Sequence, residues 1–357
     1  MKSIIDLPKK MKALVLHSVG ALRYEEVDVP SIEEGMVLLK IKACGICSSD
    51  IPRIFVTGTY HFPTVPGHEF SGQIVAVGDD ADEKLLGKRS CVFPILPCAT
   101  CKACEKGEWA QCSSYDYFGS RCDGGFSEYL AVPKWNLVLF SDKLSYVEAA
   151  LCEPAAVSLH AVSIGELKCG ENVLIVGTGT IGFLIGLFAK NKIGSGRVLI
   201  SGRSNNKLAY ARKLGFETIN TSDEDIISGI KRITGADGVS VSFEAVGSNS
   251  AVETAIRATD SFGKVVLVGN PSDDLQLEKN VYWSILRKQI KILGSWNSNY
   301  NSRINDWQKA VKFLESAEYD FKSFISHKFS LHEFEKAFSA IKDPDEFTIK
   351  VMFTFDL

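Results

Sequence analysis

Two patterns of hydrophobic and polar residues divide this chain. Between residue 11 and about residue 140, short apolar runs alternate with turn residues, and this pattern predicts the β-strands of a barrel-like domain. The runs are ALVLH, MVLLKIKA, FSGQIVAVG, RSCVF and FSEYLAVP. Met11 opens the first clear strand pattern, so residues 1–10 are expected to form a loosely attached extension.

From about residue 165 to 295, strand patterns alternate with helical ones. The strand-like runs are ENVLIVG, RVLIS, VSVSFEAVG and KVVLVG. This alternation, preceded by a helical stretch near 145–170, predicts a parallel, doubly wound sheet. Helices are also expected around 305–317 and 331–342, and the final apolar run TIKVMF is expected to return to the first domain as a strand.

These patterns predict an α/β fold with two domains built from three segments. The β-barrel domain takes residues 11–160 and carries a cysteine-rich lobe at 94–115, the doubly wound sheet takes 161–297, and residues 298–357 return to the first domain. A chain of 357 residues that is 45% hydrophobic and 23% charged can fill two such cores.

Charge and targeting patterns argue against several kinds of partner. A net charge of −3 gives no electrostatic reason to expect a nucleic acid or an anionic membrane. The N-terminus lacks the apolar core of a signal peptide, and no stretch reaches the roughly 18 apolar residues that a membrane helix needs. Ten cysteines without a secretion signal predict a reducing, cytoplasmic compartment, where disulfides rarely persist.

Four of the cysteines lie close together in CATCKACEKGEWAQC at 98–112. A redox-active pair is one interpretation of Cys-x-x-Cys, but three cysteines at spacing three, followed by a fourth, favour one tetrahedral zinc ion. Its expected ligands are Cys98, Cys101, Cys104 and Cys112. Because sulfur fills all four positions, this zinc is expected to be structural, and the chemistry must lie elsewhere.

The run VLIVGTGTIG leads from an apolar strand into a glycine-rich turn. Gly177, Gly179 and Gly182 have the G-x-G-x-x-G spacing, and apolar residues recur at helical intervals beyond it. Three glycines alone could form an ordinary turn, but between a strand and a helix they predict a dinucleotide-binding site. The free N–H groups at the start of the helix, at Thr180 and Ile181, are expected to face the phosphates.

The second strand of that sheet ends in LISGRSNNK. A NAD site usually has an acidic residue about twenty positions after the glycines, but Gly202 stands there, with Arg203 beside it. The missing carboxylate removes repulsion and a guanidinium can bind a 2′-phosphate, so NADP(H) is favoured over NAD. The alternative is a solvated arginine in a loop.

Three separated segments hold further side chains that could bind a metal, namely GICSSD, PGHEF and CEPAAVSLHA. Taken singly, each histidine or cysteine is more often structural than a ligand. Together, Cys47, His68 and Glu153 could offer sulfur, nitrogen and oxygen to one zinc ion and leave its fourth position open.

These motifs together resemble the zinc-dependent medium-chain alcohol and polyol dehydrogenases. The resemblance covers essentially everything after Met11 and rests on GICSSD, GHE, the four-cysteine lobe, DGGFSEYLAVP, the glutamate–proline pair and VGTGTIG. It implies a GroES-like β-barrel catalytic domain, a Rossmann nucleotide-binding domain, two zinc ions per chain and an NAD(P) cofactor. It also implies a homodimer or homotetramer joined through the nucleotide-binding domains, with the strand near KQIKILGSW as the expected junction.

The resemblance also implies which residues bind the reactive zinc. Cys47 stands directly before Ser-Ser-Asp and is the expected cysteine ligand, whereas Cys44 is expected to pack in the barrel. His68 is expected to supply the imidazole. Glu153 stands where the polyol enzymes of the family have a glutamate ligand.

Three further residues take catalytic roles by the same resemblance. Glu69 is expected to orient the water or to bind the metal transiently, Ser49 to pass on the alcohol proton, and Asp50 to hold the histidine in one tautomer. Pro52 stands where the simple-alcohol enzymes often have the histidine that ends the proton relay, so the last relay step lacks its usual group here.

The implied reaction is zinc-assisted hydride transfer between a secondary alcohol of a polyol and the nicotinamide cofactor. The resemblance is closest to members that act on a phosphorylated polyol, with galactitol 1-phosphate as the expected substrate and a ketohexose phosphate as the product. Arg53 and Arg121 are the candidates for phosphate recognition, although each is equally well explained as a surface arginine. Trp296 and Asn297 are expected to line the substrate pocket.

Other classes of protein and of substrate stay open. A zinc-ribbon nucleic-acid-binding module also uses clustered cysteines, but the acidic balance and the glycine motif argue against it. A zinc-free quinone reductase of the same fold has no use for the second set of ligands, so two zinc ions per chain would separate the two enzymes. Among alcohols, the alternative substrate is a free polyol or a vicinal diol.

Overall fold

The computed structural model describes residues 2–271 and 273–355, and the chain divides into two compact units. The first unit contains Met1–Glu153 and Asn299–Leu357, and the second contains Pro154–Ser298. The last two residues of the predicted segment 298–357 lie outside the described residues.

The described residues form the following strands. These are β1 (Lys2–Ser3), β2 (Lys10–Leu16), β3 (Leu22–Asp28), β4 (Met36–Gly45), β5 (Glu69–Val77), β6 (Arg89–Val92), β7 (Ile95–Leu96), β8 (Asp116–Tyr117), β9 (Tyr129–Pro133), β10 (Leu137–Leu139), β11 (Val173–Val176), β12 (Val198–Gly202), β13 (Glu217–Asn220), β14 (Val239–Glu244), β15 (Thr259–Leu267), β16 (Lys291–Gly294), β17 (Ile325–Phe329) and β18 (Lys350–Thr354).

The described residues also form short and long α-helices. They are α1 (Asp50–Pro52), α2 (Lys102–Glu105), α3 (Tyr146–Ala149), α4 (Cys152–Gly165), α5 (Thr180–Ile193), α6 (Asn205–Lys213), α7 (Ile226–Thr234), α8 (Asn249–Ala258), α9 (Lys279–Lys288), α10 (Asp306–Glu315) and α11 (Phe334–Lys342).

The first unit is built on a mixed sheet in the order β10-β6-β5-β4-β18-β17, with β1 added to β5 and β9 to β4. Strands β4 and β5 run antiparallel, with Gly45 opposite Glu69. Strand β18 runs antiparallel on the other side of β4, with Met352 opposite Gly45. The end of β4, the start of β5 and the start of β18 therefore lie side by side. Strand β18 contains most of the run TIKVMF and thus pairs with a strand of the first unit.

The second unit contains a parallel sheet in the order β13-β12-β11-β14-β15-β16. All four residues of β11 are buried, as expected for a central parallel strand covered on both faces. The strand order reverses beside β11, and ligands of such sheets bind at the carboxyl ends of the strands at this position. The predicted doubly wound sheet is confirmed.

The structure differs from the sequence predictions near the N-terminus and at the boundary between the units. Residues 2–3 are not loosely attached, because β1 pairs with β5 opposite Val77 and Ala76. The first boundary was predicted at residue 160, but it falls at Glu153, within α4. The later part of α4 belongs to the second unit, where Ser158 donates a hydrogen bond to the carbonyl of Ile181 at 3.4 Å.

One helical stretch also departs from the expectation that no segment could cross a membrane. Tyr146–Gly165 is long and apolar enough to do so by length and composition alone, with a mean hydropathy of 1.3. However, 72% of its apolar window is buried inside the protein, which is typical of a core helix. Its apolar character is thus explained by packing within the fold.

Candidate active site and zinc sites

The four cysteines of the lobe converge, and their sulfur atoms all lie within 4.8 Å of one another. The Sγ–Sγ distances are 3.4 Å for Cys98 and Cys112, 3.5 Å for Cys101 and Cys104, and 4.0 Å for Cys98 and Cys104. Zn–S bonds of about 2.3 Å in a tetrahedron place the sulfurs about 3.8 Å apart, so this group fits one zinc ion. The sulfurs are too far apart for a disulfide bond of about 2.05 Å.

A second group of potential ligands lies where β4 ends and β5 begins. It consists of Cys47, His68 and Glu69, each of which offers one ligand atom within 4.8 Å of the other two. The pairing of Gly45 with Glu69 explains this approach, because it brings together the segments that follow β4 and precede β5. His68 and Glu69 are 3% and 1% exposed, so the group is almost closed to solvent on their side.

Asp50 connects the cysteine and histidine segments. Its Oδ2 accepts a hydrogen bond from the Cys47 N–H at 2.9 Å, and its Oδ1 lies 3.3 Å from Nδ1 of His68, an ion-pair contact without the alignment of a hydrogen bond. Burial raises the pKa of Asp50, but the charges of His68 and Arg53 and the Cys47 N–H outweigh burial and hold the pKa below its usual value. An ionised Asp50 can fix the orientation of the His68 ring.

Ser49 lies between the cysteine sulfur and an arginine. Its Oγ donates a hydrogen bond to Sγ of Cys47 at 3.2 Å and accepts one from the Arg53 guanidinium at 3.0 Å. The same guanidinium nitrogen lies 3.4 Å from Oδ1 of Asp50. Arg53, at the start of the π-helical turn Arg53–Thr57, is therefore already engaged by protein groups at this site.

Glu69 forms a buried ion pair that the sequence analysis missed. Nζ of Lys350 lies 2.8 Å and 2.6 Å from the two carboxylate oxygens of Glu69 and donates a third hydrogen bond to the carbonyl of Ile46 at 3.2 Å. Lys350 is only 5% exposed, at the start of β18. The available sequence signal was a lysine inside the apolar run TIKVMF, because buried lysines are rare unless paired.

Glu153 is not a member of the second ligand group. Its Oε1 accepts a hydrogen bond from the Tyr117 hydroxyl at 3.4 Å, and the Tyr117 ring packs 5.5 Å from the His68 ring. Burial raises the pKa of Glu153 to about 7, with Glu69 adding to the increase and His68 opposing it. The carboxylate thus lies beside the ligand group without joining it, and its role as a zinc ligand stays a prediction.

The residues present in this region fit a zinc ion. Thiolate sulfur, imidazole nitrogen and carboxylate oxygen are the donors that zinc takes in catalytic sites, and a site with three protein ligands keeps a position for water or substrate. That set is supplied by Cys47, His68 and the buried carboxylates of Glu69 and Glu153. One of these carboxylates, that of Glu69, is paired with Lys350. Cys44, in contrast, is fully buried in β4 and packs in the core, as expected.

In the second unit, the glycine-rich turn connects β11 to α5. Gly177 has a φ of 126°, which favours glycine, and a Cβ on Gly182 would lie 2.3 Å from the Gly177 carbonyl oxygen. A Cβ on Gly179 would have no atom within 4 Å, so the approach to the first residues of α5 is open there. Thr180 and Ile181 begin that helix, so the positive end of its dipole lies beside the turn.

The end of β12 lacks the acidic residue of a NAD site. A Cβ on Gly202 would lie 2.5 Å from the Thr178 side chain, so a larger residue has no room unless that side chain moves. Arg203 is exposed beside it. Lys207, which the sequence analysis missed although it lies in LISGRSNNK, stands in the first turn of α6, and burial lowers its pKa. Two cationic side chains therefore follow β12.

The remaining predicted substrate residues belong to different units. Arg121 belongs to the first unit, and its N–H donates to the carbonyl of Tyr117 at 2.9 Å. Trp296 and Asn297 belong to the second unit, where Trp296 is 50% exposed and Nδ2 of Asn297 is buried without a hydrogen-bond partner in the described part of the chain.

Comparisons with known protein families agree with this fold. A family model described as the alcohol dehydrogenase GroES-like domain matches residues 33–142, and one described as zinc-binding dehydrogenase matches residues 180–316. The chain belongs to the zinc-dependent medium-chain polyol dehydrogenases.

Individual relatives share most of the chain. It is 34% identical to galactitol 1-phosphate 5-dehydrogenase of Escherichia coli K12, over 92% of this chain and 95% of the relative, and 31% identical to sorbitol dehydrogenase of Bacillus subtilis 168, over 97% and 98%. The crystal structure of galactitol-1-phosphate dehydrogenase from Escherichia coli superposes with a TM-score of 0.88 at 33% identity, covering 97% of this chain and all of that one. A structure titled as a zinc-binding dehydrogenase of Sinorhizobium meliloti 1021 bound to NADP gives 0.87 at 28% identity, covering 98% and 100%.

Proposed function

We propose that this zinc-dependent oxidoreductase transfers hydride between a secondary alcohol of a phosphorylated polyol and NADP(H), with galactitol 1-phosphate as the substrate and a ketohexose phosphate as the product. The observation that carries the proposal is the mutual approach of Cys47, His68 and Glu69 to within 4.8 Å at the end of β4. The similarity to galactitol 1-phosphate 5-dehydrogenase supports the choice of substrate.

In this proposal, Cys47, His68 and Glu153 hold the zinc ion of the active site, and the four cysteines of the lobe hold a second, structural one. Zinc supplies Lewis-acid stabilisation of charge on the substrate oxygen, and the cofactor takes or gives the hydride. Asp50 keeps the His68 ring in the orientation that binds metal, as the 3.3 Å contact with Nδ1 supports.

Ser49 is proposed to accept the alcohol proton and pass it on. Its Oγ donates to Cys47 and accepts from Arg53, so the hydroxyl is held by groups on both sides and stays close to the ligand group. Arg53 is a positioning residue here, because its guanidinium fixes Ser49 and also contacts Asp50. Pro52 has no side chain that could carry the proton further, so the next step depends on water.

The preference for NADP(H) rests on the end of β12. Arg203 is exposed and Lys207 half-buried, so two cations are available for a 2′-phosphate, and no carboxylate stands at Gly202 to repel it. Gly177, Gly179 and Gly182 complete the site by leaving the start of α5 open to the pyrophosphate.

A free polyol is the second candidate substrate. The similarity to a sorbitol dehydrogenase favours it, and so does the engagement of Arg53 by Ser49 and Asp50, which removes one of the two candidate phosphate ligands. The deciding experiment is a panel of polyols with and without a phosphate group, each assayed with NAD and with NADP. We expect the highest kcat/KM for the phosphorylated polyol with NADP, and a higher value for the free polyol would contradict the substrate assignment.

We also infer a homodimer or homotetramer in a reducing, cytoplasmic compartment, with small-molecule partners only. Strand β16 lies at the edge of the parallel sheet, where its outer N–H and C=O groups can pair with a second copy. Ile292 on this strand is 40% exposed, and Leu286 and Tyr282 on α9 are 57% and 54% exposed. Light scattering on Ile292→Arg should give a lower mass than the unsubstituted protein if this edge joins the copies.

A further inference from the structure

An arginine near the ligand group is held between two aromatic rings. The guanidinium carbon of Arg121 lies 3.9 Å from the centre of the Tyr60 ring and 4.8 Å from the centre of the Tyr115 ring. Both distances are within the range of favourable cation–π contacts. The two rings limit the movement of the guanidinium and leave its edge, where the N–H groups point, as the side available to a ligand.

Hydrogen bonds of the backbone and of the His61 side chain hold this arrangement together without a ligand. The Arg121 carbonyl lies 3.0 Å from Nε2 of His61, and the Tyr60 N–H donates to the carbonyl of Ser120 at 3.4 Å. The Arg121 N–H donates to the carbonyl of Tyr117. These hydrogen bonds tie the segment around Tyr60 to the segment around Arg121, so the position of the charge is set in advance.

Arg121 has no carboxylate partner among the residues that the structure describes. None of the ion pairs in the described ranges includes it, and its Nε is buried without a hydrogen-bond partner. Arg89 provides the contrast within the same unit. It also packs against two rings, those of Phe140 at 4.8 Å and Tyr146 at 4.3 Å, but it pairs with Asp142 at 3.1 Å. A half-buried cation without a counter-charge is costly unless a ligand supplies one.

The position of Arg121 relative to the ligand group suits a substrate with two separated functional groups. Tyr117 donates a hydrogen bond to Glu153, and its ring packs against the His68 ring. The Tyr117 ring also lies 6.2 Å from the Tyr115 ring, and the Tyr115 ring packs against Arg121. A line of packed rings thus connects the proposed zinc ligands to the guanidinium. A polyol bound through a hydroxyl at the metal can extend along this line and place an anionic group several carbons away at Arg121.

We propose that Arg121, enclosed by Tyr60 and Tyr115, is the specificity-determining residue that binds the phosphate monoester of the substrate. Arg53 does not have this role, because its guanidinium is engaged by Ser49 and Asp50. This inference rests on the proposed function, since it assigns one residue to the phosphate of a polyol phosphate. A guanidinium suits the task because its N–H groups can form paired hydrogen bonds to two phosphate oxygens.

The test compares Arg121→Met with Arg89→Met, which removes the same side chain from a similar aromatic setting. We expect Arg121→Met to raise KM for the phosphorylated polyol roughly 10- to 100-fold, because the substitution removes a pair of charge-assisted hydrogen bonds. The KM for the free polyol should stay within about 2-fold of the unsubstituted value. Arg89→Met should leave the ratio of the two KM values unchanged. Equal increases in both KM values for Arg121→Met, or no increase in either, would overturn the assignment.

Two further measurements separate binding from folding. Inorganic phosphate should inhibit the unsubstituted enzyme and the Arg89→Met variant competitively against the polyol, and should inhibit Arg121→Met far less. Tyr60→Leu, which removes one ring and keeps the charge, should raise KM for the phosphorylated substrate less than Arg121→Met does. If the unsubstituted enzyme shows no preference for phosphorylated polyols, the proposed function fails, but phosphate inhibition that depends on Arg121 would still support the anion site. Equal inhibition by phosphate in all variants would contradict an anion site at Arg121.

Discussion

Replacing Lys350 by methionine should strongly destabilise the first unit. The substitution keeps most of the side-chain volume but removes the ammonium group that contacts both oxygens of Glu69, at 2.6 Å and 2.8 Å, and the carbonyl of Ile46. Glu69 is 1% exposed, so its carboxylate would be left buried without a cation. Breaking a buried ion pair in this way costs about 3–5 kcal/mol.

The size of this effect can be measured by thermal unfolding. For chains in the size range of this unit, 1 kcal/mol corresponds to a change in Tm of about 2–4 °C, so Lys350→Met should lower Tm by about 6–20 °C. The double variant Lys350→Met/Glu69→Gln removes the pair as a whole and should recover most of the loss, because replacing both partners is often nearly neutral. Zinc content measured on the same samples shows whether the lower Tm of Lys350→Met comes from the broken ion pair or from loss of metal.

Lys328→Met is the matched control. Lys328 is exposed on β17, the strand that pairs with β18, and the same substitution there should change stability by less than about 0.5 kcal/mol. A stabilising role for the Lys350–Glu69 pair would be excluded if Lys350→Met behaved like Lys328→Met, or if the double variant were as unstable as the single one.

Three smaller predictions follow from the other sites. Cys104→Ser should reduce the zinc content by one ion per chain and lower Tm, because the lobe loses the metal that joins its four sulfurs; unchanged zinc content would contradict this. Arg203→Ala should raise KM for NADP by about 10-fold and leave KM for NAD within about 2-fold, and a parallel rise for both cofactors would argue against binding of the 2′-phosphate. Tyr117→Phe should lower kcat by less than about 10-fold, since its contact with Glu153 is long, at 3.4 Å; complete loss of activity would show a larger role for the hydroxyl.

Much of the fold could be predicted because its strands are strongly apolar. VLIV in β11 and the run that forms β4 are buried, and their sequences alone identified them. Strand β3 was missed because LRYEEVD is mostly polar, as suits a strand whose residues are largely exposed. Strand β13, four residues long, is too short to show an alternating pattern.

The candidate site was predictable where its residues follow local motifs. The glycines at 177, 179 and 182 lie in the turn from β11 into the start of α5, so their spacing and this local context carry the information. The partner of Glu69 could not be found in this way, because Lys350 is 281 residues away and reaches it only through the pairing of β18 with β4. The contact between Tyr117 and Glu153 likewise depends on tertiary packing.

A zinc ion held by Cys47, His68 and Glu153 is tested most directly by the zinc content per chain, measured together with activity. We expect two zinc ions in the unsubstituted protein, one in Glu153→Gln with loss of dehydrogenase activity, and two in Glu69→Gln. A single zinc ion in the unsubstituted protein would contradict a metal at Cys47 and His68. Loss of a zinc ion in Glu69→Gln, with two retained in Glu153→Gln, would contradict the proposed ligand set and assign the third position to the carboxylate that lies nearest those two residues.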